Sequence, residues 1–210
     1  TAVDTDVAIT DTDTGDDNTC VKGGADAALF TCTVTATAYS VSFSSAPDYD
    51  SGTACAGGNS CTVTIKINDG AQDGATITYT ITIADANDQT PTYTATSTTP
   101  TVTEGATAVD TDVAITDTDT GDSNTCTKGG ADAALFTCTV TATAYSVSFS
   151  SAPDYDSGTA CAGGNSCTVT IKINDGAQDG ATITYTITIA DANDQTPTYT
   201  ATSTTPTVTE

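Results

Sequence analysis

The amino-acid sequence predicts an all-β chain of two tandem antiparallel β-sandwiches, arranged like beads on a string. Shifting the 210-residue sequence by 106 positions aligns residues 1–104 with residues 107–210, and only positions 17/123 and 21/127 differ. Hydrophobic and polar residues alternate with the two-residue period of half-buried strands, and no helical period is present. Since solenoid repeats are only about 20 to 50 residues long, each unit is expected to fold as a domain of its own.

A first pair of strands follows from a change of phase in this alternation. Hydrophobic residues occupy every second position from Phe30 to Ala36 and again from Tyr39 to Phe43, but the two runs are out of phase. A tight hairpin produces such a shift, because both strands must bury one face on the same core. The sequence therefore predicts a hairpin here.

Three further strands follow from the same pattern. Alternation over residues 61–67 and 77–83 predicts two of them, and the intervening residues 68–74 (NDGAQDG) are typical of a turn. Val3, Val7 and Ile9 indicate another. About seven short strands in a unit of this size favour an antiparallel sandwich.

Composition excludes several classes of protein. The chain has 27 carboxylates, four Lys or Arg residues and no histidine, which gives a net charge of −23. Nucleic-acid binding is excluded because it needs clustered basic side chains. Without histidine the chain lacks the commonest general base and the commonest zinc ligand, so we expect no enzyme. No apolar run approaches the roughly 20 residues of a membrane helix, so no membrane insertion is expected.

The phase of the repeat suggests how the units are divided. Gly105 and Ala106 close the first period, and adding Gly-Ala after Glu210 would lead back into Thr1. We expect a window of a longer array, or a subunit whose ends meet head to tail. Residues 1–86 would be a repeat that lacks its first strand, residues 87–192 a complete repeat, and residues 193–210 the first strand of a following repeat.

Acidic residues are concentrated in five short segments of each unit. In the first period these are residues 11–18 (DTDTGDDN), 48–50 (DYD), 68–70 (NDG), 85–91 (DANDQTP) and 101–104 (TVTE). In this order they resemble the calcium-binding motifs of cadherin repeats. The strongest likeness is that of residues 85–93 to the motif DxNDNxPxF, from which only Gln89 and Tyr93 depart.

The resemblance implies extracellular, Greek-key β-sandwiches that bind Ca²⁺, a cation that prefers six to eight oxygen ligands. It implies a first ligand cluster at the junction of the two units, formed by Asp48, Asp50, Asp85, Asn87, Asp88, Asp117, Asp119, Asn124 and Asp175. It implies a second cluster formed by Glu104, Asp154, Asp156, Asp191, Asn193 and Asp194, completed by Asp11, Asp13, Asn18 and Asp69 of a following unit.

Two departures from the family pattern are expected to weaken these sites. One extra residue lies between Gly15 and Asn18, and Asp50 stands in place of a longer glutamate. Other calcium motifs fit less well: for an EF-hand, Gly15 comes one position early and position twelve is Lys22. The remaining alternative is that acidic loops only form solvated turns.

Four cysteines in each unit, in a chain with a secreted composition, predict disulfides. The short flexible loop from Cys55 to Cys61 favours local closure, which leaves Cys20 to pair with Cys32. With their repeats, the expected pairs are Cys20–Cys32, Cys55–Cys61, Cys126–Cys138 and Cys161–Cys167. Zinc fits poorly, because neither spacing is that of a CxxC motif.

Threonine fills most outward-facing strand positions, where a β-branched side chain suits a solvated face. The alternative is O-glycosylation, which fits best in the Thr/Ser/Pro-rich residues 90–100. The candidate acceptors there are Thr94, Thr96, Thr98 and Thr99.

These features predict a structural protein, located outside the cell or on its surface. We expect a calcium-rigidified tandem-repeat fibre, stalk or adhesin that assembles head to tail with itself and carries or contacts glycans. Residues 199–210 would complete the neighbouring unit. A carbohydrate-binding or other ligand-binding module, or a glycosidase with paired carboxylates, are the alternatives.

Overall fold

The computed structural model describes residues 1–13, 17–121, 123–202 and 204–209. Gly15 and Asp16 of the first acidic segment therefore lie outside the described residues, as do Ser203 and Glu210. The chain divides into two compact units, one made of Thr1–Asp88 with Thr118–Gly121 and the other of Gln89–Asp117 with Asp122–Glu210. Each unit is a sandwich of two sheets, which confirms the predicted fold class.

The described residues of the first unit form six strands: β1 (Ala2–Ala8), β2 (Thr19–Gly23), β3 (Phe30–Val34), β4 (Ala38–Phe43), β5 (Ser60–Asn68) and β6 (Ile77–Thr82). They form one sheet in the order β1-β4-β3 and a second in the order β2-β5-β6. Every pair is antiparallel. A single 3₁₀ turn, Ala27–Leu29, precedes β3.

In the second unit, the part of the chain that the structure describes forms eight strands: β7 (Thr92–Tyr93), β8 (Thr101–Thr103), β9 (Ala108–Thr116), β10 (Thr125–Gly129), β11 (Phe136–Val140), β12 (Ala144–Phe149), β13 (Ser166–Asn174) and β14 (Ile183–Ala190). Their sheets have the orders β11-β12-β9-β7 and β10-β13-β14-β8. The matching 3₁₀ turn is Ala133–Leu135. None of the helical segments that the structure describes is long and apolar enough to span a membrane.

The hairpin expected from the shift of phase is present as β3 and β4. Phe30 pairs with Phe43, and their ring centroids lie 4.4 Å apart. At the turn, the backbone N–H of Thr35 donates to the carbonyl of Ala38 at 2.8 Å. Phe30 and Val41 are fully buried between the two sheets. The alternation of hydrophobic and polar residues therefore predicted correctly which side of each strand faces the core.

Residues 87–104, the counterparts of the expected first strand at residues 193–210, form two strands rather than one. β7 pairs with β9 in one sheet, and β8 runs parallel to β14 in the other. The crossing is held by hydrogen bonds, because the N–H of Thr96 donates to Asp110 Oδ2 at 2.9 Å. Pro100 has no N–H, and its carbonyl accepts from the N–H of Thr188 at 3.0 Å. This segment therefore closes the edges of both sheets of its unit.

Disulfides are present at all four expected pairs: Cys20–Cys32, Cys55–Cys61, Cys126–Cys138 and Cys161–Cys167. Cys20 lies on β2 and Cys32 on β3, so this bridge joins the two sheets of the sandwich, with the two Cα atoms 6.2 Å apart. The Cys55–Cys61 bridge closes the loop before β5.

A buried carboxylate supports the smaller disulfide loop. Asp26, which is 4% exposed, accepts from the N–H of Ala56 at 2.6 Å and from the N–H of Thr62 at 2.7 Å. Asp132 makes the equivalent contacts in the second unit. Two backbone donors satisfy each carboxylate, so its burial is compatible with a stable fold. Neither Asp26 nor Asp132 was predicted from the sequence to have a role.

Candidate metal sites

Three carboxylates converge in the first unit. Asp50 comes from the β4–β5 loop, Asp88 follows β6, and Asp119 belongs to the segment Thr118–Gly121 that groups with this unit. One oxygen from each lies within 4.8 Å of the others. We call these three residues the first-unit cluster.

Asp85 adds a fourth carboxylate to the first-unit cluster. Its Oδ2 accepts from the backbone N–H of Thr120 at 2.7 Å and from the Thr120 hydroxyl at 2.6 Å. Its Oδ1 is buried and has no hydrogen-bond partner among the described residues, and the same is true of Asp50 Oδ1. Two buried carboxylate oxygens are thus left available to a ligand.

The electrostatics of the first-unit cluster disfavour full ionisation without a counter-charge. The pKa of Asp50 is raised, first by burial and then by the negative charges of Asp119, Asp85 and Asp88. Like charges held this close raise one another's pKa because both ionised forms cannot be stabilised together. A bound cation would reverse the sign of this effect.

A second group of three carboxylates lies in the second unit and consists of Glu104, Asp156 and Asp194. One oxygen from each is within 4.8 Å of the others. Glu104 directly follows β8, and its backbone N–H donates to the carbonyl of Ala190 at 2.9 Å. The pairing of β8 with β14 therefore fixes the position of Glu104. We call this group the second-unit cluster.

Backbone donors orient Glu104. Its Oε2 accepts from the N–H of Tyr155 and its Oε1 from the N–H of Ala192, both at 2.7 Å. These two bonds, led by that from Ala192, lower the pKa of Glu104. Burial and the charges of Glu104 and Asp191 instead raise the pKa of Asp156. In the second-unit cluster, hydrogen bonds therefore hold the Glu104 carboxylate in place, and the neighbouring Asp156 carboxylate lacks a counter-charge.

A third group surrounds a pocket of about 290 Å³ in the first unit, lined by Asp11, Asp13, Asn18 and Asp69. The Asn18 Nδ2 donates to the carbonyl of Ala36 at 3.2 Å. Asp69 Oδ1 accepts from the N–H of Gln72 at 2.6 Å, and this bond is the largest cause of its lowered pKa. The fold therefore brings together all four residues that the resemblance assigns to this half-site.

The other candidate ligands have varied environments. Asp48 and Asp154 accept from the N–H groups of Ser51 and Ser157 at 3.2 Å and so cap their own turns. Asn87 and Asp117 are half-buried, whereas Asp191 and Asn193 are exposed.

Two candidates in the second unit are held by local hydrogen bonds. Asn124 donates through Nδ2 to the carbonyl of Ala142 at 3.1 Å, and its Oδ1 is buried with no hydrogen-bond partner among the described residues. Asp175 is fully buried, and its Oδ1 accepts from the N–H groups of Ala177 at 2.7 Å and Gln178 at 2.6 Å.

Two residues that were not predicted from the sequence support the clusters. Thr120 holds Asp85, and the Gln195 side-chain amide donates to Asp194 Oδ1 at 2.9 Å. Gln195 repeats Gln89, one of the two positions at which the acidic motif departs from the family pattern. That departure was the only signal in the sequence that could have drawn attention to this residue.

Replacing Glu104→Gln should destabilise the second unit even in a calcium chelator. Both carboxylate oxygens accept from backbone N–H groups, and an amide would place its NH₂ group against one of those donors. We expect a lower unfolding midpoint by differential scanning calorimetry. Asp194→Asn is the matched control, because Asp194 is exposed. Equal midpoints for the two variants would contradict the assigned role of Glu104.

No protein-family model and no curated protein sequence matches the chain. Solved structures of cadherin extracellular domains do. The protocadherin GammaB4 extracellular domain is 19% identical with a TM-score of 0.61, and the match covers 92% of this chain and 30% of that one. For the protocadherin gammaB7 EC3-6 cis-dimer structure the identity is 21% and the TM-score 0.60, over 86% of this chain and 42% of that one.

Human protocadherin-24 EC1-2 is similar over most of both chains. It is 19% identical with a TM-score of 0.57, and the match covers 86% of this chain and 85% of that one. The chain spans less than half the length of the protocadherin gamma structures above. At these identities the likeness establishes the fold.

Proposed function

Because the chain has a cadherin-like fold, we propose that it is a structural extracellular protein, a calcium-rigidified tandem-repeat fibre, stalk or adhesin. The observation that carries this proposal is the convergence of three carboxylates in each of two clusters. Groups of like charge need a counter-charge to be stable in a partly buried site.

The lysines of the chain do not supply that counter-charge. Each is engaged elsewhere, through the contacts Lys22 with the Phe30 carbonyl, Lys128 with the Phe136 carbonyl, Lys66 with Asp73 and Lys172 with Asp179. The sequence has no arginine or histidine, so the counter-charge that we propose is a metal cation.

Calcium fits the donor set better than other metals do. Both clusters offer carboxylate oxygens, and neither contains a sulfur or an imidazole ligand among the described residues. Ca²⁺ accepts six to eight such oxygens in flexible geometry. Extracellular modules bind it with dissociation constants of about 10⁻⁴ to 10⁻³ M, which suits a site that responds to calcium outside the cell.

Rigidification follows from the origin of the ligands. In the first-unit cluster, Asp88 follows the last strand of the unit, and Asp119 comes from a segment that follows β9 in sequence. A shared ion restrains all the segments that contribute ligands, whereas mutual repulsion separates them when the ion is removed. We expect the chain to be a complete repeat at residues 87–192, flanked by partial repeats, and to assemble with copies of itself.

O-glycosylation is the proposed modification of the linking segment. The side chains of Thr94, Thr96, Thr98 and Thr99 are all exposed. Their position in a Thr/Ser/Pro-rich stretch supports this assignment.

Small-angle X-ray scattering with and without calcium tests the proposal. At about 5 mM CaCl₂, well above the expected dissociation constants, the chain should behave as a rigid body, and EGTA should give a more flexible particle with a larger spread of dimensions. MgCl₂ at the same concentration is the control, because Mg²⁺ demands stricter octahedral geometry. Identical scattering in calcium and EGTA, together with no calorimetric calcium binding, would overturn the proposal.

A further inference from the structure

The first unit has an open groove at the edge of its sandwich. The groove has a volume of about 620 Å³. Its walls are residues 1–3, residues 79–82 of β6 with the two residues after them, and Phe43, Ala46 and Pro47. Backbone N–H groups and apolar side chains are thus exposed together along an unpaired strand edge, which favours the addition of another strand.

The same place is filled in the second unit. Val102 of β8 is 5% exposed and belongs to the hydrophobic core there. The carbonyls of Thr98 and Pro100 accept from the N–H groups of Thr186 and Thr188 at 2.8 and 3.0 Å. The equivalent N–H groups of the first unit belong to residues 80 and 82, in the wall of the groove. They have no such acceptor among the described residues.

Core residues of identical sequence differ in burial accordingly. Tyr185 is 0% exposed, whereas the equivalent Tyr79 is only half-buried. Ile77 is 42% exposed, and its counterpart Ile183 is half-buried. The edge strand is also shorter, because β6 has six residues and β14 has eight. The filling segment therefore accounts for the more complete core of the second unit.

Tyr93 anchors the other end of this segment in the second unit. Its hydroxyl accepts from the N–H of Ile173 at 2.9 Å, and its ring packs edge-on against Tyr145 with the centroids 5.5 Å apart. Gly180 makes the space, since a Cβ atom there would lie 2.5 Å from the Tyr93 ring. The first unit keeps the equivalent glycine, Gly74, where a Cβ atom would meet only the Ile67 carbonyl, at 3.1 Å.

The chain carries a second copy of the filling segment. Residues 197–210 have the same sequence as residues 91–104. Tyr199, the counterpart of Tyr93, is 94% exposed, and Val208, the counterpart of Val102, is 89% exposed. These two side chains are the most exposed large hydrophobic residues in the described part of the chain.

We propose that residues 197–210 of one molecule fill the groove in the first unit of a second copy of this chain. Residues 207–209 would run parallel to residues 82–84, as β8 runs beside β14, and Tyr199 would lie over Gly74. A contact between the groove of one molecule and the donor segment of another is heterologous, so its repetition extends into a filament. Its use as a fibre rests on the proposed function, but none of the residues that line the groove is a candidate calcium ligand.

Sedimentation velocity in constant calcium, across a range of protein concentrations, tests this contact. The unmodified chain should form a ladder of oligomers. Val208→Asp should weaken association roughly tenfold or more, because it would bury an unpaired carboxylate where a valine is expected. Thr207→Asp is the matched control: it adds the same charge one residue away, at a position whose counterpart, Thr101, is exposed. It should associate nearly as well as the unmodified chain.

Gly74→Ala tests the receiving side, because the added methyl group should exclude the Tyr199 ring while the first unit stays folded. Its far-ultraviolet circular dichroism checks that folding. A synthetic peptide of residues 197–210 should bind the Val208→Asp chain and raise the unfolding midpoint of its first unit. It should not bind the chain that carries both Val208→Asp and Gly74→Ala.

Two outcomes would overturn the proposal. One is a chain that remains monomeric at every concentration. If the peptide still binds that monomeric chain, the groove takes another segment of the same sequence rather than a second copy. The other is equal association of the Val208→Asp and Thr207→Asp variants. Because calcium is constant throughout, neither outcome bears on the calcium sites, which the scattering experiment tests separately.

Discussion

Calcium at millimolar concentration should raise the unfolding midpoint of the chain by several degrees. A ligand that binds only the folded state stabilises it by about 1.4 to 2.7 kcal/mol per site at 10 to 100 times its dissociation constant. For a domain of about 100 residues, 1 kcal/mol corresponds to roughly 4 to 8 °C. Differential scanning calorimetry in CaCl₂ and in EGTA measures the increment, and an unchanged midpoint would contradict calcium binding by the clusters.

Asp50→Asn should have opposite effects on the stability of the chain in EGTA and in calcium. The raised pKa of Asp50 means that its ionised form is disfavoured in the folded state. This destabilisation is absent below the ordinary aspartate pKa and fully present once the pH exceeds the raised value. At neutral pH the variant should therefore be as stable as the unmodified chain in EGTA, or more so. In calcium it should lose part of the increment.

Asp17→Asn is the matched control for that experiment. Asp17 is exposed, and the second unit carries Ser123 at the equivalent position. This variant should keep the full calcium increment. An equal increment in the Asp50→Asn and Asp17→Asn chains would show that Asp50 is not a ligand.

Removing the Cys20–Cys32 disulfide, which joins the two sheets, should cause the second large change in stability. In the double variant Cys20→Ala, Cys32→Ala the closed loop, with a sequence separation of 12, is lost. The chain-entropy model assigns about 3 kcal/mol to a loop of this size. The first unit should then unfold roughly 10 °C or more below its normal midpoint.

The second unit provides an internal comparison, because Cys126 and Cys138 form the same bridge there. Val21→Thr is the control for the surface of β2, since the second unit already has Thr127 at that position. We expect no loss of stability from it. A double variant with an unchanged midpoint, or free thiols in the unmodified chain, would contradict the structural role of this bridge.

Local pattern was sufficient to predict much of the fold. The repeat predicted two units, and the shift of phase between residues 30–36 and 39–43 predicted the hairpin of β3 and β4. The even cysteine count and the short loop from Cys55 to Cys61 correctly predicted the observed disulfides. These features depend on neighbouring residues, because alternation and short loops act within a few positions along the chain.

The convergence of particular carboxylates was decided by tertiary structure. Asp50, Asp88 and Asp119 come from separate loops, and only the packing of the sheets brings their oxygens within 4.8 Å. Asp48 is two residues from Asp50 in sequence, yet it caps its own turn. The sequence motif assigns all of these residues to one group of candidate ligands. The distances between their oxygens, however, depend on where strands that are distant in sequence end.

The sequence by itself determined that the chain is a tandem β-sandwich with acidic loops, because these are properties of periodicity and composition. It also indicated that residues 1–86 lack a first strand, but it could not determine which side chains this leaves exposed. Tyr79 and Tyr185 have the same local sequence and differ in exposure. The difference arises because β8 pairs with β14 in the second unit, whereas no described strand pairs with the free edge of β6 in the first unit. Burial depends on distant segments packing against a residue, which only the tertiary structure specifies.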